Sequence, residues 1–184
     1  MSQRVEFAIT VRLPAEAAPA RVDTLDALFR AHYGRLVRAL TLVSGSRESA
    51  ADAVQEAFVK AHLHWARIAR YDDPVGWIRR IALNRLRDDR RRSLRKQRAI
   101  DRLALETSAS TSLETPEDAD LQWMLAQLPR QQRLALALFY VEQLTVAEVA
   151  RAMRITEGTV KFHLHQGRAR LRHVLDTHAE ARAR

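Results

Sequence analysis

Three residues, Arg154-Ile155-Thr156, separate two amphipathic segments toward the C-terminal end of this 184-residue chain. A connection that short forces consecutive helices to cross steeply, and no other feature constrains the fold as much. The first segment runs from about Val146 to Met153. It opens on Thr145-Val146-Ala147-Glu148, a capping-box pattern in which hydroxyl and carboxylate each satisfy a free backbone N–H. Thr156 is placed to cap the second segment, which starts near Glu157 and runs toward Leu175. On a helical projection Val160, Leu164, Gly167 and Leu171 share a narrow arc, the expected buried face. Phe162, His165, Gln166 and Ala169 lie opposite. Lys161 and Arg168 flank one edge of that outer face, and His163 and Arg170 the other.

The outer face carries no carboxylate between Glu157 and Asp176. A glutamine side chain pairs with adenine, and an apolar ring meets the thymine methyl. Cations at the edges suit phosphates. These are the requirements of a recognition helix in the major groove, so the segment reads as a DNA-binding helix-turn-helix. The net charge of +9, with 28 arginines among 31 basic residues, agrees with a polyanionic partner, nucleic acid or an acidic membrane face.

The rest of the chain is also helical by pattern. No segment alternates strictly enough for a strand, and none of the five glycines sits in a hairpin pair. Asp73-Pro74 and Thr115-Pro116 mark helix starts, a cap followed by proline at the first helical position. Charge and composition divide the chain further. Residues 99–128 carry a net −5 between two basic blocks, and they contain the small polar run 107–112. The expected architecture is therefore all-α. A loose extension spans 1–22, one helical domain 23–95, a flexible acidic linker 96–114, a helix-turn-helix domain 115–178 and a short tail 179–184.

Two helices of the first domain carry functional signals. Over Ser46 to Ala66, Ala53, Val54, Ala57, Phe58, Ala61 and Trp65 form a core stripe. The other side holds Asp52, Gln55, Glu56, Val59 and Leu63. That mixture fits a protein-docking surface or, equally, a helix covered by core on two sides. Over Val75 to Arg92, Ile78, Ile81, Ala82 and Leu86 face the core, while Arg80, Asn84, Arg87 and Arg91 line a separate stripe. Ten basic and two acidic residues occupy 79–98, preceded by Tyr71 and Trp77. Cations interleaved with aromatics suit single-stranded or distorted nucleic acid.

Other chemistry finds little footing. Without cysteine there are no disulfides, thiol nucleophiles or thiolate zinc sites. His62 and His64, like His163 and His165, are two helical positions apart and diverge, so no metal site is expected, nor any cofactor. No signal peptide is visible, and no apolar run reaches the ~18 residues of a membrane span, so a cytoplasmic protein without membrane insertion is expected. An enzyme acting on nucleic acid would need clustered acids, and the adjacent Asp88-Asp89 pair diverges around its helix.

The segment Asp52-Ala53-Val54-Gln55-Glu56-Ala57-Phe58-Val59-Lys60-Ala61 resembles the core-polymerase-binding helix of bacterial sigma factors. Pro74-Val75-Gly76-Trp77-Ile78-Arg79-Arg80-Ile81-Ala82-Leu83-Asn84 is similar to the promoter-melting helix that follows it. Leu128-Pro129-Arg130-Gln131-Gln132, Leu144-Thr145-Val146-Ala147-Glu148-Val149-Ala150 and Gly158-Thr159-Val160-Lys161 resemble the sigma domain that reads the upstream promoter element. With no domain between them, the arrangement is similar to the extracytoplasmic-function (ECF) group of the sigma-70 family.

The resemblance implies a non-enzymatic factor that directs transcription initiation. Asp52, Gln55, Glu56 and Val59 would dock on the clamp helices of the polymerase β′ subunit. Trp77, Arg80, Asn84, Arg87 and Arg91 would contact the minus-10 element, with residues 67–73 forming a pocket for an extruded base. The second domain would sit on the β flap and read the minus-35 element of promoter DNA through Thr159, Lys161, Phe162, His165, Gln166 and Arg168. The linker would thread toward the polymerase active-site channel. An anti-sigma factor is the implied regulator. Phe162, His165 and Gln166 depart from the residues common in the family, so no particular minus-35 sequence carries over. The alternative is a stand-alone helix-turn-helix transcription regulator without affinity for polymerase.

Overall fold

The computed structural model describes residues 24–100 and 116–182, with side chains described over 24–95 and 120–177. The N-terminal extension, most of the linker and the end of the tail lie outside the described residues, as does Thr115 of the second cap-proline pair. Every regular element among the described residues is helical. The elements are α1 (Leu25–Ser44), α2 (Arg47–Leu63), α3 (Trp65–Ile68), α4 (Pro74–Ile100), α5 (Pro116–Ala126), α6 (Arg130–Leu136), α7 (Val146–Met153) and α8 (Glu157–Arg182).

Local chemistry sets most boundaries. The Thr24 hydroxyl caps α1 by accepting from Ala27 N–H, and Ser46 caps α2 by accepting from Ser49 N–H. Gly45 ends α1 in the left-handed region at φ 83°, where glycine carries no Cβ penalty. The Asp73 carboxylate accepts from Gly76 N–H at 2.6 Å, so the expected aspartate cap forms. A Cβ at position 76 would collide with that carboxylate. Some elements differ from the pattern, among them α8, which runs past Leu175 to Arg182. The helix expected over 46–66 breaks at His64, leaving Trp65 half-buried at the start of α3. α4 continues past Arg92 to Ile100, because arginine, lysine, leucine and glutamine there are good helix formers and nothing interrupts them.

In the first half α1, α2 and α4 pack together. The buried stripe of α2 is Ala53, Val54, Ala57, Phe58 and Ala61, and α4 contributes Ile78, Ala82 and Leu86, with Ile81 half-buried. The alanines let the helix axes approach closely. Phe29, Tyr33 and Phe58 form an aromatic cluster between α1 and α2, with centroids 4.5 Å apart for Phe29–Tyr33 and 5.0 Å for Phe29–Phe58.

In the second half α6, α7 and α8 surround Leu134, Leu138, Val149, Val160 and Leu164. Gly167 lies 2.9 Å, measured from an added Cβ, from Leu136, so a larger residue there would push α8 off α6. α6 does not stop at Leu136. It widens into a π-turn over Ala137–Val141, seen in the Glu142 N–H to Ala137 carbonyl bond of 3.2 Å. Gln143 then adopts φ 56° and ends the helix.

The two halves are in contact. α1 packs on α5, α6 and the π-turn as well as on α2 and α4. Arg79 of α4 pairs with Glu142 just after the π-turn at 3.2 Å, the side chains 6% and 2% exposed. Arg35 donates to Gln143 beside that pair (3.4 Å), and at the end of α1 Gln122 donates to the Gly45 carbonyl (3.1 Å) and Arg133 to the Val43 carbonyl (3.4 Å).

Candidate nucleic-acid interface

The turn and both helix starts of the helix-turn-helix form as expected, while α8 runs past Leu175 to Arg182. Thr145 accepts from Glu148 N–H, and the Glu148 carboxylate takes both the Thr145 N–H (2.8 Å) and its hydroxyl (2.7 Å). Burial pushes the Glu148 carboxyl up, but those Thr145 bonds, with Arg79 and Arg151 nearby, leave it below the ordinary carboxylate range. Arg154 closes α7 in the left-handed region at φ 59°. Thr156 caps α8 by accepting from Thr159 N–H at 3.2 Å, and the two hydroxyls lie 2.8 Å apart.

This frame rotates α8 as its periodicity requires. Val160, Leu164 and Gly167 are buried, and Leu171 is half-buried. Lys161, Phe162, His165 and Arg168 are exposed, with Thr159 and Gln166 half-buried beside them. Phe162 is 57% exposed, unusual for a phenylalanine held on a well-ordered helix. Arg168 reaches the Tyr140 hydroxyl at 3.5 Å. His163 turns inward far enough to bury its Nδ1.

On α4 the proposed DNA stripe is only partly free. Arg80 and Arg91 are exposed. Asn84 and Arg87 are half-buried and bonded to each other, Arg87 donating to the Asn84 carbonyl oxygen at 3.1 Å. Trp77 is half-buried against the core. The segment preceding α4 places the Arg67 guanidinium 6.0 Å from the Tyr71 ring centroid, a cation over an aromatic face.

The α2 surface resolves the choice left open by the pattern: its second side faces solvent. Asp52, Gln55 and Val59 are exposed, Val59 by 52%, and Leu63 by 70%. Glu56 differs from its neighbours. It bridges Lys60 at 2.7 Å and Arg85 at 2.9 Å, tying α2 to α4. The Lys60 bond is the main reason its carboxyl lies below the ordinary range.

Sequence reasoning did not single out Arg79 or Glu142. Arg79 stands inside a run of basic residues that reads as solvated, and Glu142 is a single acid just after the π-turn that no local pattern marks as buried. Among the described residues no cluster of histidine, aspartate or glutamate has the arrangement of a metal site. No helix among them is long and apolar enough to cross a membrane.

Comparison with known proteins follows this division. Residues 28–101 match the family model for Sigma-70 region 2, and residues 119–171 the model for Sigma-70, region 4. The chain is 34% identical over 154 residues to the ECF RNA polymerase sigma factor SigM of Mycobacterium tuberculosis, covering 82% of this chain and 76% of that protein. It is 30% identical over 183 residues to the ECF RNA polymerase sigma factor SigE of Mycolicibacterium smegmatis, covering 95% and 70%. Among solved structures, its fold is similar to that of the sigma factor RpoE in complex with the anti-sigma factor NepR from Bartonella quintana. The TM-score is 0.68 at 21% identity, over 82% of this chain and 96% of that one. CnrH in complex with the cytosolic domain of CnrY gives a TM-score of 0.60 at 23% identity, over 83% and 88%.

Proposed function

The chain belongs to the ECF RNA polymerase sigma factors, and on that premise we propose how its faces divide the work of promoter recognition. It binds core RNA polymerase and promoter DNA and directs initiation. The α8 face of Thr159, Lys161, Phe162, His165, Gln166 and Arg168 reads the minus-35 element. The α4 stripe of Trp77, Arg80, Asn84, Arg87 and Arg91 contacts the minus-10 element as it opens. Asp52, Gln55 and Val59, with Leu63 beside them, dock on the polymerase clamp. Glu56 belongs to that face but acts mainly inside the chain, by fixing α2 on α4. The domains divide at the linker 96–114, whose first residues to Ile100 continue α4, as 23–95 and 115–178. The chain catalyses nothing itself and works in the cytoplasm beside polymerase, held in reserve by an anti-sigma factor.

One observation supports this reading most directly. α8 presents an aromatic, an amide and cations outward on a helix capped by Thr156 and set against the capping-box helix α7, without a carboxylate between Glu157 and Asp176 to repel the backbone. A stand-alone regulator is not favoured, because it gives the region 2 match over residues 28–101 no role.

The division is tested by selecting promoters from a randomised library with the reconstituted polymerase. Gln166→Ala changes the base preferred at one upstream position, at ~1–3 kcal/mol for a good contact. Arg168→Ala weakens all sequences alike. An unchanged preference in Gln166→Ala overturns the assignment of that residue.

A further inference from the structure

A cavity of about 310 Å³ lies where the two halves meet, between the end of α1, the start of α2, the middle of α4 and the start of α6. Its walls carry Arg90 from α4 and Arg130 and Arg133 from α6, with Ser44, Ser46 and Ser49 at the α1–α2 junction. Arg90 and Arg130 have no carboxylate within ion-pair distance among the described residues. Arg133 spends its terminal nitrogens on the carbonyls of Val43, Ala126 and Leu128, and its Nε is buried without a partner. The one acid in the wall, Asp89, is already held by Arg85 at 3.1 Å.

Cations gathered this way repel one another. Burial lowers the Arg130 pKa first, and the charges of Arg90, Arg87, Arg133 and Arg91 lower it further. Arg133 is lowered by burial and by Arg90. Nothing within the described chain neutralises the group. The same cavity lies at the N-terminus of the 17-residue α2, the positive end of its helix dipole. The Ser49 and Ser93 hydroxyls at its edge donate to no group among the described residues. Arginine forks, hydroxyls and a helix N-terminus are the donors that phosphate oxygens take.

The geometry points to a binding site for a small phosphate-bearing anion in this cleft, held by Arg90 and Arg130 across the junction of the two halves. The volume is at the lower end for small-molecule sites and suits a pyrophosphate-sized group. A bound anion cancels the repulsion between α4 and α6 and holds the halves together at the end opposite Arg79–Glu142. The site is separate from the proposed polymerase-docking and minus-35 faces.

Titration of the full chain with inorganic pyrophosphate, at ionic strength fixed with chloride, tests this calorimetrically. One saturable site is expected, together with a rise in Tm. Arg90→Gln and Arg130→Gln should each weaken binding roughly tenfold, the loss of one charge-assisted contact. Neither variant should lower the anion-free Tm, because each removes a repelled charge, so weakened binding cannot be put down to unfolding. Arg172→Gln, at an exposed site on α8 outside the cavity, should bind as the parent does. Absence of saturable binding in the millimolar range, equal binding by all variants, or a fall in the anion-free Tm of Arg90→Gln and Arg130→Gln overturns the proposal. So does binding of a DNA oligonucleotide, but not pyrophosphate, that is lost in the same two variants.

Discussion

Arg79 and Arg80 are neighbours on one helix, yet one is buried and the other lies in solvent. Arg79 is held inside by Glu142, which meets it at 3.2 Å. Burial raises the Glu142 carboxyl, with Arg79 pulling the other way, as expected where desolvation competes with Coulomb attraction. Glu142→Gln leaves a buried guanidinium without its counter-ion, at about 3–5 kcal/mol. The pair spans the two halves, so the cost falls first on their association. Small-angle scattering should show a larger radius for the variant, with its helical content retained. A second residue-scale prediction concerns His32. Burial, then the charges of Arg35 and Arg79, hold its pKa below the ordinary value of 6.5, with only Asp73 opposing. The unfolded chain therefore binds this proton more readily. The His32 contribution is complete above about pH 6.5 and is lost as pH falls through the depressed folded value. Tm should fall between about pH 7 and 5, and His32→Gln should flatten that dependence.

At the scale of elements, the helix-turn-helix depends on short-range chemistry. Thr145→Ala removes the hydroxyl that caps α7 and should cost about 1 kcal/mol, seen as a lower Tm with boundaries otherwise unchanged. This part of the fold was legible in the sequence, because caps and 3.6-residue periodicity act over a few residues. The same is true of the Asp73 cap and of the α2 core stripe from Ala53 to Ala61. Other elements were not legible. The π-turn at Ala137–Val141 has no local signature, since its residues also fit an ordinary α-helix. The break at His64 has no breaker residue to announce it, and the extension of α4 to Ile100 rests on helix propensity without a core-facing stripe to mark it. Exposure of Val59 and Leu63 could not be read from periodicity either, because the same mixed face suits a helix buried on both sides.

At the scale of the whole molecule, charge explains the organisation and sequence alone does not. The basic blocks and the acidic stretch between them suggested two DNA-binding domains on a tether. In the structure those domains meet, joined by Arg79–Glu142 and by Arg35, Gln122 and Arg133 reaching across. Long-range pairs of this kind join residues 63 positions apart or more, beyond any local pattern. This arrangement also sets Arg130 close to Arg87, Arg90 and Arg91 of α4, so the proposed minus-10 stripe borders the second half. The α2 face proposed to dock on polymerase is open to solvent at Asp52, Gln55 and Val59. Replacing Asp52 and Gln55 with arginine should therefore abolish capture by core polymerase while leaving the Tm unchanged.

The central claim is that this chain confers promoter specificity on polymerase. Run-off transcription with bacterial core RNA polymerase, on a template carrying a promoter selected with the chain, measures it most directly. The account predicts transcripts from one defined start site when the chain is added, none from core polymerase alone, and none with the Asp52→Arg, Gln55→Arg variant. If the chain binds the duplex but core polymerase still starts no specific transcript, the account is contradicted.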